Sequence, residues 1–214
     1  SEQSLVSAGI PIFYPANVHE VIPMGLQAFQ LSRFSGLCVA LKITADTADS
    51  NAVVDLSSLR PKNLNLIQKE SVHITKHEPA LEREETLFTK RLPSAKNFIF
   101  ENKINKVIRH TETKNLGIIT VGKATTETID ALDSIGVFEP HKYGIGIFAC
   151  KVPWPLINQD IINFAKGYKE ILIIEEKRGL VEEQVAHILF NTHKTPILSG
   201  KNDGLTKEKL VPET

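Results

Sequence analysis

The second half of the chain alternates between short apolar runs and longer stretches in which apolar residues recur every three or four positions. Short apolar runs rich in β-branched residues are typical of buried strands, and the longer spacing is typical of helices. Strands that alternate with helices form parallel sheets covered by helices on both faces. The pattern therefore predicts an α/β domain over residues 116–214. Its predicted strands are LGIITVG, YGIGIFACKV, EILIIEE and TPILSG, and its predicted helices are ATTETIDALDSIG, DIINFAKGY and LVEEQVAHILF.

Residues 1–60 carry a shorter version of the same alternation. A short apolar segment precedes a stretch with helical spacing, and the apolar run Leu37–Ile43 follows as a predicted buried strand. Asn17 is a suitable N-cap for this helix and Gly36 a suitable end. Pro23 has two explanations, a kink inside the helix or a helix that begins there. The segment predicts one partial β-α-β unit.

Residues 61–115 are rich in charge and weak in hydrophobic period, which is typical of a connector and not of a separate domain. Two helical pieces are predicted within it, Leu81–Leu92 and Pro93–Asn102. His73 and His77 lie four residues apart and would share a face if this stretch were helical. A proline two residues after the second histidine argues against a helix, and no third ligand is evident. We expect two exposed histidines and no metal site.

Composition narrows the classes of function. Lysine plus arginine number 25 and aspartate plus glutamate also number 25, so a basic surface for nucleic acid or a polybasic membrane patch is not expected. No apolar run approaches the roughly 20 residues of a membrane span, and no signal peptide is evident. The chain begins at Ser1 and its only methionine is Met24, which is consistent with a piece of a larger protein.

The chain has two cysteines, Cys38 and Cys150, which lie far apart in separate apolar segments. They predict two buried free thiols in a reducing compartment, and hence a cytoplasmic protein. No C-x-x-C pair is present, so neither an iron–sulfur cluster nor a structural zinc is expected in this segment.

An unusual junction follows the third predicted strand of the second half. The four aliphatic residues Ile171–Ile174 run directly into four charged ones, Glu175, Glu176, Lys177 and Arg178. In a parallel sheet the aliphatic residues would be buried on both faces, and the charges would lie at the carboxyl end of the strand, where open α/β sheets bind ligands. Two interpretations stay open: an interface or anion-binding cluster, or charges that cap a helix and pair with one another.

Lys123 lies at the end of another predicted strand. The stretch GIITVGKA fits G-x-x-x-x-G-K but lacks the final Ser or Thr, and Ile118–Val121 form the strand itself, so a nucleotide phosphate loop is not predicted. A lysine beside a helix N-terminus could still bind an anion of a cofactor. A solvated lysine is the alternative.

Two further segments hold candidate site residues. Trp154, the only tryptophan, stands between two prolines in KVPWPL and could stack on a ligand, wedge against a partner or pack in the core. Asp46 and Thr47 lie in TADTADS, where Asp46 and Asp49 could bind magnesium or position a substrate; a loop of capping and turn residues is the alternative. No Ser-His-Asp or Cys-His arrangement can be proposed from spacing, so no catalytic residue is assigned.

Several stretches together resemble the thiamine-diphosphate-dependent 2-oxoacid:ferredoxin oxidoreductases, and most of all the fused indolepyruvate type. In order, they are PANVHEVIPMGLQAFQLSRFSGLCVALKITADTADSNAVVDL, LEREETLFTKRLPSAKNFIFENKINKVI, NLGIITVGKATTETIDALDSIGV, PWPL, EILIIEEKRGLVEEQ and VPET. The resemblance implies the end of a pyrimidine-binding domain over 1–60, a connector over 61–115 and a transketolase C-terminal-like domain over 116–214. Two departures are Ala149–Val152, where the family often has Lys-Val-Gly-Met, and Pro23, where a helix usually continues.

The resemblance implies a role in oxidative decarboxylation of aryl 2-oxoacids. The full enzyme would use thiamine diphosphate, magnesium, iron–sulfur clusters and coenzyme A, and would pass electrons to ferredoxin. The family's activating glutamate, diphosphate motif and cluster cysteines belong to regions outside this segment. The resemblance thus implies a fragment or a divergent subunit that binds no cofactor by itself, inactive alone, and assembles with other domains or subunits as an oligomer, with Glu175–Arg178 at a polar junction.

Two alternatives come from other classes of protein. One is an anion- or coenzyme-A-binding α/β module that uses Lys123, Lys177 and Arg178. The other is a non-catalytic interaction domain whose apolar N-terminal unit pairs with a partner.

Overall fold

The computed structural model describes residues 2–53, 73–74, 79–190, 192 and 195–201. The chain divides into two compact units, Ser1–Ile104 and Asn105–Thr214. None of the described helices combines the length and the apolar character that a membrane crossing requires. His77 and the sequence VPET lie outside the described residues.

The first unit begins with the predicted β-α-β arrangement, in which two short strands pair in parallel around one long helix. The Asn17 side chain accepts a hydrogen bond from the His19 N–H at 3.1 Å, and the Glu20 carboxylate accepts one from the Ala16 N–H at 3.0 Å. These bonds fix the start of the helix upstream of Pro23, so a helix that begins at Pro23 is wrong. The elements are α1 (Glu2–Ser7), β1 (Ile12–Phe13), α2 (Val18–Ser35), β2 (Ala40–Leu41) and α3 (Ala45–Ala48).

The second strand of this unit is shorter and more exposed than the sequence predicts. Only Ala40 and Leu41 of the predicted strand Leu37–Ile43 form a ladder, and both are half-buried. Among the described residues β2 pairs with β1 alone, so its other edge lacks the neighbour that would bury it. Cys38, which precedes this strand, is exposed, and this corrects the prediction of two buried thiols; Cys150 is buried as predicted.

The connector forms two helices joined by one wider turn, close to the two predicted pieces. They are α4 (Ala80–Thr86), a π-helical turn (Leu87–Arg91) and α5 (Leu92–Glu101), with Pro93 in the first turn of α5. Helix α5 packs on α2, where the rings of Phe34 and Phe98 lie 5.7 Å apart. Helix α5 thus contributes to the core of the first unit, whereas α4 has no buried residue.

The second unit is a five-stranded sheet in the order β3-β5-β4-β6-β7, in which the last four strands are parallel, as predicted, and β3 is antiparallel. The strand β3 corrects the sequence interpretation, which placed its residues in the connector. It is short, its end residues are exposed, and it lies at the sheet edge, so its hydrophobic pattern is weak. The elements are β3 (Lys106–Arg109), β4 (Leu116–Val121), α6 (Ala124–Ser134), a 3₁₀ turn (Pro140–Tyr143), β5 (Ile145–Cys150), α7 (Asn158–Ala165), β6 (Glu170–Ile174), α8 (Leu180–Leu189) and β7 (Ile197–Ser199).

Helices flank the sheet on both faces, but not equally. On one face, the Thr120 hydroxyl of β4 is hydrogen-bonded to the Thr125 hydroxyl of α6 at 2.9 Å. On the opposite face, Phe164 of α7 packs over Gly117 of β4. Successive residues of a strand point to opposite faces, so α6 and α7 lie on opposite sides.

The aliphatic run of β6 therefore has two different environments. Ile171 and Ile173 are buried, whereas Leu172 and Ile174 are half-buried. Ile174 is in register with Thr120 and so faces the side of α6. The expectation that all four aliphatic residues are buried on both faces is therefore wrong for two of them.

Candidate functional site

The carboxyl ends of the parallel strands bring three loops to one edge of the second unit. Val121 of β4 is in register with Cys150 of β5, and Thr120 is in register with Ile174 of β6. Lys123 and Arg178, which follow two of these strands, consequently lie at the same edge, as the sequence predicts. We call this edge, with the loops 122–123, 151–157 and 175–179, the carboxyl edge.

The loop after β4 does not form a phosphate cradle. β4 itself spans Leu116–Val121, as the sequence reading requires. The Gly122 N–H donates to the Cys150 carbonyl at 3.3 Å, and the Lys123 ammonium lies 3.0 Å from a carboxylate oxygen of Glu127, one helical turn away. The Lys123 ammonium is thus paired with a carboxylate of its own helix.

The loop after β5, Lys151–Ile157, is held from one side by the buried side chain of Asn105. Its Oδ1 accepts the N–H groups of Lys151 and Val152, both at 2.8 Å, and its Nδ2 donates to the Val152 carbonyl at 3.2 Å. One side chain therefore satisfies three backbone groups of the loop, in the way a neighbouring strand would.

Gln184 of α8 holds the same loop from the other side. Its Oε1 accepts the Leu156 N–H at 3.1 Å, and its Nε2 donates to the carbonyls of Pro153 at 2.8 Å and Leu180 at 2.9 Å. We call this pair of side chains, Asn105 and Gln184, the amide clamp. The clamp joins the loop to Asn105, the residue before β3, and to helix α8.

The clamped loop presents Trp154 at the carboxyl edge. Pro153 and Pro155 on either side are buried, the Trp154–Pro155 peptide is cis, and the Trp154 side chain is only half-buried. The two flanking prolines and the amide clamp restrict the backbone that carries the indole.

Glu175, the first charge after β6, points inward. It is buried, and its two carboxylate oxygens accept the N–H groups of Val181 and Glu182 at 3.0 and 2.9 Å. These are donors of the first turn of α8, whose N-cap residue Gly179 has no side chain to serve them. Glu175 therefore caps α8 from the end of β6, and the amides that would otherwise suit an anion at this helix are occupied.

The other charges of the junction differ from Glu175. Lys177 and Arg178 are exposed, and Glu176 is half-buried. The Lys177 carbonyl accepts a hydrogen bond from the Lys201 ammonium, and the Lys201 N–H donates to the Glu182 carboxylate at 2.9 Å. The four adjacent charges thus divide into an internal cap, a half-buried glutamate and an exposed basic pair.

A thiol and two carboxyl groups lie behind the loop. Cys150 donates to the Val152 carbonyl at 3.4 Å; burial raises the pKa of its thiol, and the nearby charges of Glu175 and Asp160 raise it further. Burial also raises the pKa of Glu175 to about 7, against the opposing effect of its two N–H donors, and the pKa of Asp160 to about 6. Cys150 is accordingly a protonated, inert thiol at neutral pH.

The second acidic candidate, Asp46 with Thr47, lies in the first unit on the single turn α3. Thr47 is buried and its hydroxyl lies 3.2 Å from that of Thr44, whereas Asp46 and Asp49 are exposed. The segment forms a single helical turn whose N-cap residue Thr44 makes no side-chain capping bond, and a magnesium-binding or substrate-positioning role for Asp46 stays a prediction.

The described side chains form no cluster that fits a bound metal ion. Within the described ranges no three His, Cys, Asp or Glu side chains converge as metal ligands would. The whole sequence holds two cysteines, and an iron–sulfur cluster is usually held by four. No catalytic step is therefore assigned to these side chains.

The amide clamp is the part of this edge that sequence reasoning missed. Gln184 gave a signal, because it occupies a core position of the apolar repeat in α8, where a polar residue implies a buried hydrogen bond. Asn105 gave none, since its partners lie 46 and 47 residues further along the chain.

Comparison with known proteins gives consistent results. Residues 106–214 match the family model described as the indolepyruvate oxidoreductase domain. The indolepyruvate oxidoreductase subunit IorA of Methanothermobacter thermautotrophicus is 26% identical over 94% of this chain and 32% of its own length. The subunit IorA of Pyrococcus abyssi is 25% identical over 91% of this chain and 30% of its own length. The chain thus spans about a third of the length of these curated relatives.

A solved structure is also similar to part of the chain. It is a 2-oxoglutarate:ferredoxin oxidoreductase from Magnetococcus marinus with 2-oxoglutarate, coenzyme A and succinyl-CoA bound. The sequence identity is 18%, the match covers 57% of this chain and 20% of the chain in that structure, and the TM-score is 0.34. The family resemblance expected from the sequence is confirmed by the family match and the curated relatives. This chain belongs to the indolepyruvate oxidoreductase domain family.

Proposed function

We propose that this chain is part of a cytoplasmic, oligomeric oxidoreductase that oxidatively decarboxylates indolepyruvate-like 2-oxoacids, and that its second unit has a structural and assembly role in that enzyme. The names of the relatives and their similarity over more than nine-tenths of this chain support the enzyme class. In the proposal, thiamine diphosphate, magnesium, iron–sulfur clusters and coenzyme A supply the redox and acyl-transfer chemistry, and ferredoxin receives the electrons.

The observation that carries the structural role is the use of polar side chains at the carboxyl edge. Open α/β sheets place ligand-binding groups there. Here the amide clamp and the carboxylate of Glu175 instead hold the loops of the sheet to one another. These bonds restrict the movement of the three loops relative to the sheet. The groups that remain for contact are the half-buried Trp154 and the exposed Lys177 and Arg178.

An anion- or coenzyme-A-binding module receives less support from the same geometry. A helix N-terminus attracts anions through free N–H groups, and at α8 two of these groups are bonded to Glu175. The third basic residue of that hypothesis, Lys123, forms an ion pair with Glu127. Calorimetry of the chain with coenzyme A and with inorganic phosphate separates the two hypotheses, and we expect no measurable heat of binding.

Charge reversal of the exposed basic pair tests the structural role in the complete enzyme. We expect Lys177→Glu with Arg178→Glu to weaken assembly by at least about tenfold, with loss of indolepyruvate-dependent, coenzyme-A-dependent reduction of ferredoxin in proportion to the lost complex. The matched control is Lys166→Glu with Lys169→Glu, the same charge change on exposed lysines at the other end of the strands. Native mass spectrometry measures assembly, and dye or ferredoxin reduction measures turnover.

Three results would contradict the proposal. Unchanged assembly and turnover in the Lys177 and Arg178 variant would contradict a role of this edge in assembly. An equal loss in the control would show a general charge effect. Absence of 2-oxoacid oxidation by the complete wild-type enzyme would contradict the proposed enzyme class.

A further inference from the structure

Helix α2 of the first unit carries apolar residues on two opposite sides. One side is buried, and its residues are Met24, Ala28, Leu31 and Ser35. At 100° per residue, the opposite side is formed by a second set with the same regularity. The residues of this second set, which we call the α2 stripe, are His19, Ile22, Leu26, Phe29 and Arg33.

The α2 stripe is exposed in the described part of the chain. Ile22, Leu26 and Phe29 are 43%, 37% and 74% exposed, and His19 and Arg33 are also exposed. A surface helix normally buries one apolar stripe and turns charged residues outward. A helix with apolar residues on two opposite sides is typical of one that lies between two layers. Among the described residues the main neighbours of α2 are α5 and β2, and the α2 stripe stays exposed beside them.

The spacing of the stripe indicates which kind of surface would cover it. Its residues are separated alternately by three and four positions, from His19 to Arg33. This is the a and d pattern of a helix that packs along another helix, with each side chain inserted between four of the partner. The apolar centre, Ile22, Leu26 and Phe29, is flanked by a basic residue at its carboxyl end.

The charges of the stripe argue against a second copy of α2 as the partner. In an antiparallel pair Arg33 would face His19 of the other copy, and in a parallel pair Arg33 would face its own equivalent. Neither arrangement supplies a negative charge for Arg33, and in the parallel pair two arginines in contact oppose pairing. A different helix with a carboxylate opposite Arg33 satisfies both the apolar centre and the charge.

We propose that the α2 stripe is the docking surface for a second α-helix that is not among the residues of this chain. That helix carries apolar residues at alternating spacings of three and four and an Asp or Glu that pairs with Arg33. Its assignment to another part of the same oxidoreductase rests on the proposed function, whereas its chemistry rests on the stripe alone.

Site-specific photo-crosslinking in the complete enzyme tests the proposal. The crosslinker p-benzoylphenylalanine replaces Phe29, and in a matched control it replaces Phe138, a phenylalanine of similar exposure (72%) in the second unit. After irradiation, mass spectrometry identifies the peptide joined to each position. We expect at least about tenfold more product at Phe29, joined to a helical segment with the stated spacing and an acidic residue.

The contribution of the charge is tested in the same experiment. Arg33→Glu should lower the crosslinking yield at Phe29 several-fold by placing two acids together, and Arg33→Lys should retain it. Because Arg33 and Phe29 are exposed, thermal melting of the isolated chain should be the same for all variants, which confirms that each one folds.

The outcomes separate this inference from the proposed function. Crosslinks to a peptide of this same chain, equal yields at both positions, or no product at Phe29 would overturn the docking surface, whatever the enzyme does. A crosslink to a suitable helix of a protein unrelated to 2-oxoacid oxidation would support the docking surface and contradict the proposed function.

Discussion

Asn105 and Val152 exchange a reciprocal pair of hydrogen bonds across 47 residues of sequence. The Asn105 amide oxygen accepts the Val152 N–H at 2.8 Å, and the amide nitrogen donates to the Val152 carbonyl at 3.2 Å. Both residues are buried, so water does not replace either bond if the side chain is removed. This pair ties the residue that leads into β3 to the loop that holds the only tryptophan.

Removal of the Asn105 amide should destabilise the second unit and loosen this loop. Asn105→Ala removes three hydrogen bonds to backbone groups of Lys151 and Val152, and we expect a loss of about 2–4 kcal/mol in the free energy of unfolding. Urea unfolding measures the loss, and a red shift of Trp154 fluorescence reports the loop. The control Asn115→Ala removes one exposed bond to the Tyr143 carbonyl and should cost less than about 1 kcal/mol. Equal effects of the two substitutions would contradict the clamp.

Gln184 should act on the same loop with a smaller effect. Gln184→Ala removes the acceptor for the Leu156 N–H and the donor to the Pro153 carbonyl, at a cost of about 1–2 kcal/mol that is partly offset by the better helix propensity of alanine. Trp154 emission should again shift to the red. Gln159→Ala, which removes an exposed side-chain bond on α7, serves as the control. A normal spectrum in the Gln184 variant would show that the loop does not depend on it.

Glu175 should give the protein a pH-dependent stability. Burial raises the pKa of this carboxyl from 4.5 to about 7 in the folded state, so the folded protein holds this proton more tightly than the unfolded chain. The associated stability is present below about pH 4.5 and is lost as the pH rises through about 7, on the order of 2–3 kcal/mol. Relative to Glu175→Gln, the wild type should therefore lose stability over this interval.

Urea unfolding at a series of pH values checks the Glu175 prediction. Other titrating groups, Asp160 included, are common to both proteins and cancel in the comparison. The control is Glu183→Gln, an exposed residue in the first turn of the same helix, which should keep the wild-type slope. Parallel stability curves for the wild type and Glu175→Gln would refute the prediction.

Two glycines should respond to alanine in opposite directions. A Cβ on Gly146 would lie 1.8 Å from the Tyr168 hydroxyl oxygen, so Gly146→Ala should cost at least about 3 kcal/mol or prevent folding. A Cβ on Gly25 of α2 meets nothing within 4 Å, and Gly25→Ala should stabilise the protein by about 0.5–1 kcal/mol. Thermal melting compares the two, and a Gly146 variant as stable as the wild type would contradict the contact.

The two thiols should differ in reactivity. Cys38 is exposed, whereas Cys150 is buried and burial raises the pKa of its thiol. Because the thiolate is the reactive form, a disulfide reagent should modify one thiol per native chain and both in denaturant. Cys38→Ser should leave no thiol that reacts in the native state. Rapid modification of Cys150 in the native Cys38→Ser protein would show that this end of β5 is open to solvent.

Local signals predicted most elements of the fold. The alternation of apolar runs gave β4 to β7 and α6 to α8, and the Asn17 cap gave the start of α2. The exceptions were helix α1, which was not predicted, β3, which was assigned to the connector, and β2, which was predicted longer and more buried than it is. The strand β3 lies at a sheet edge with exposed end residues, so its sequence lacks the apolar run that marks a central strand.

The candidate site could be predicted only in its position. The sequence placed Lys123 and Arg178 at one edge of the sheet because parallel strands end together, and the strand register confirms it. It did not show that Glu175 turns inward while Lys177 and Arg178 stay exposed, since adjacent charges look alike in a sequence.

The sequence by itself determined where most strands and helices of this protein lie and which ends of the parallel strands meet, because hydrophobic period and capping residues act over a few positions. The tertiary structure alone decided what the polar side chains do. Asn105, Gln184 and Glu175 find their hydrogen-bond partners 47, 31 and 7 residues away, and only the folded chain brings those buried groups within bonding distance.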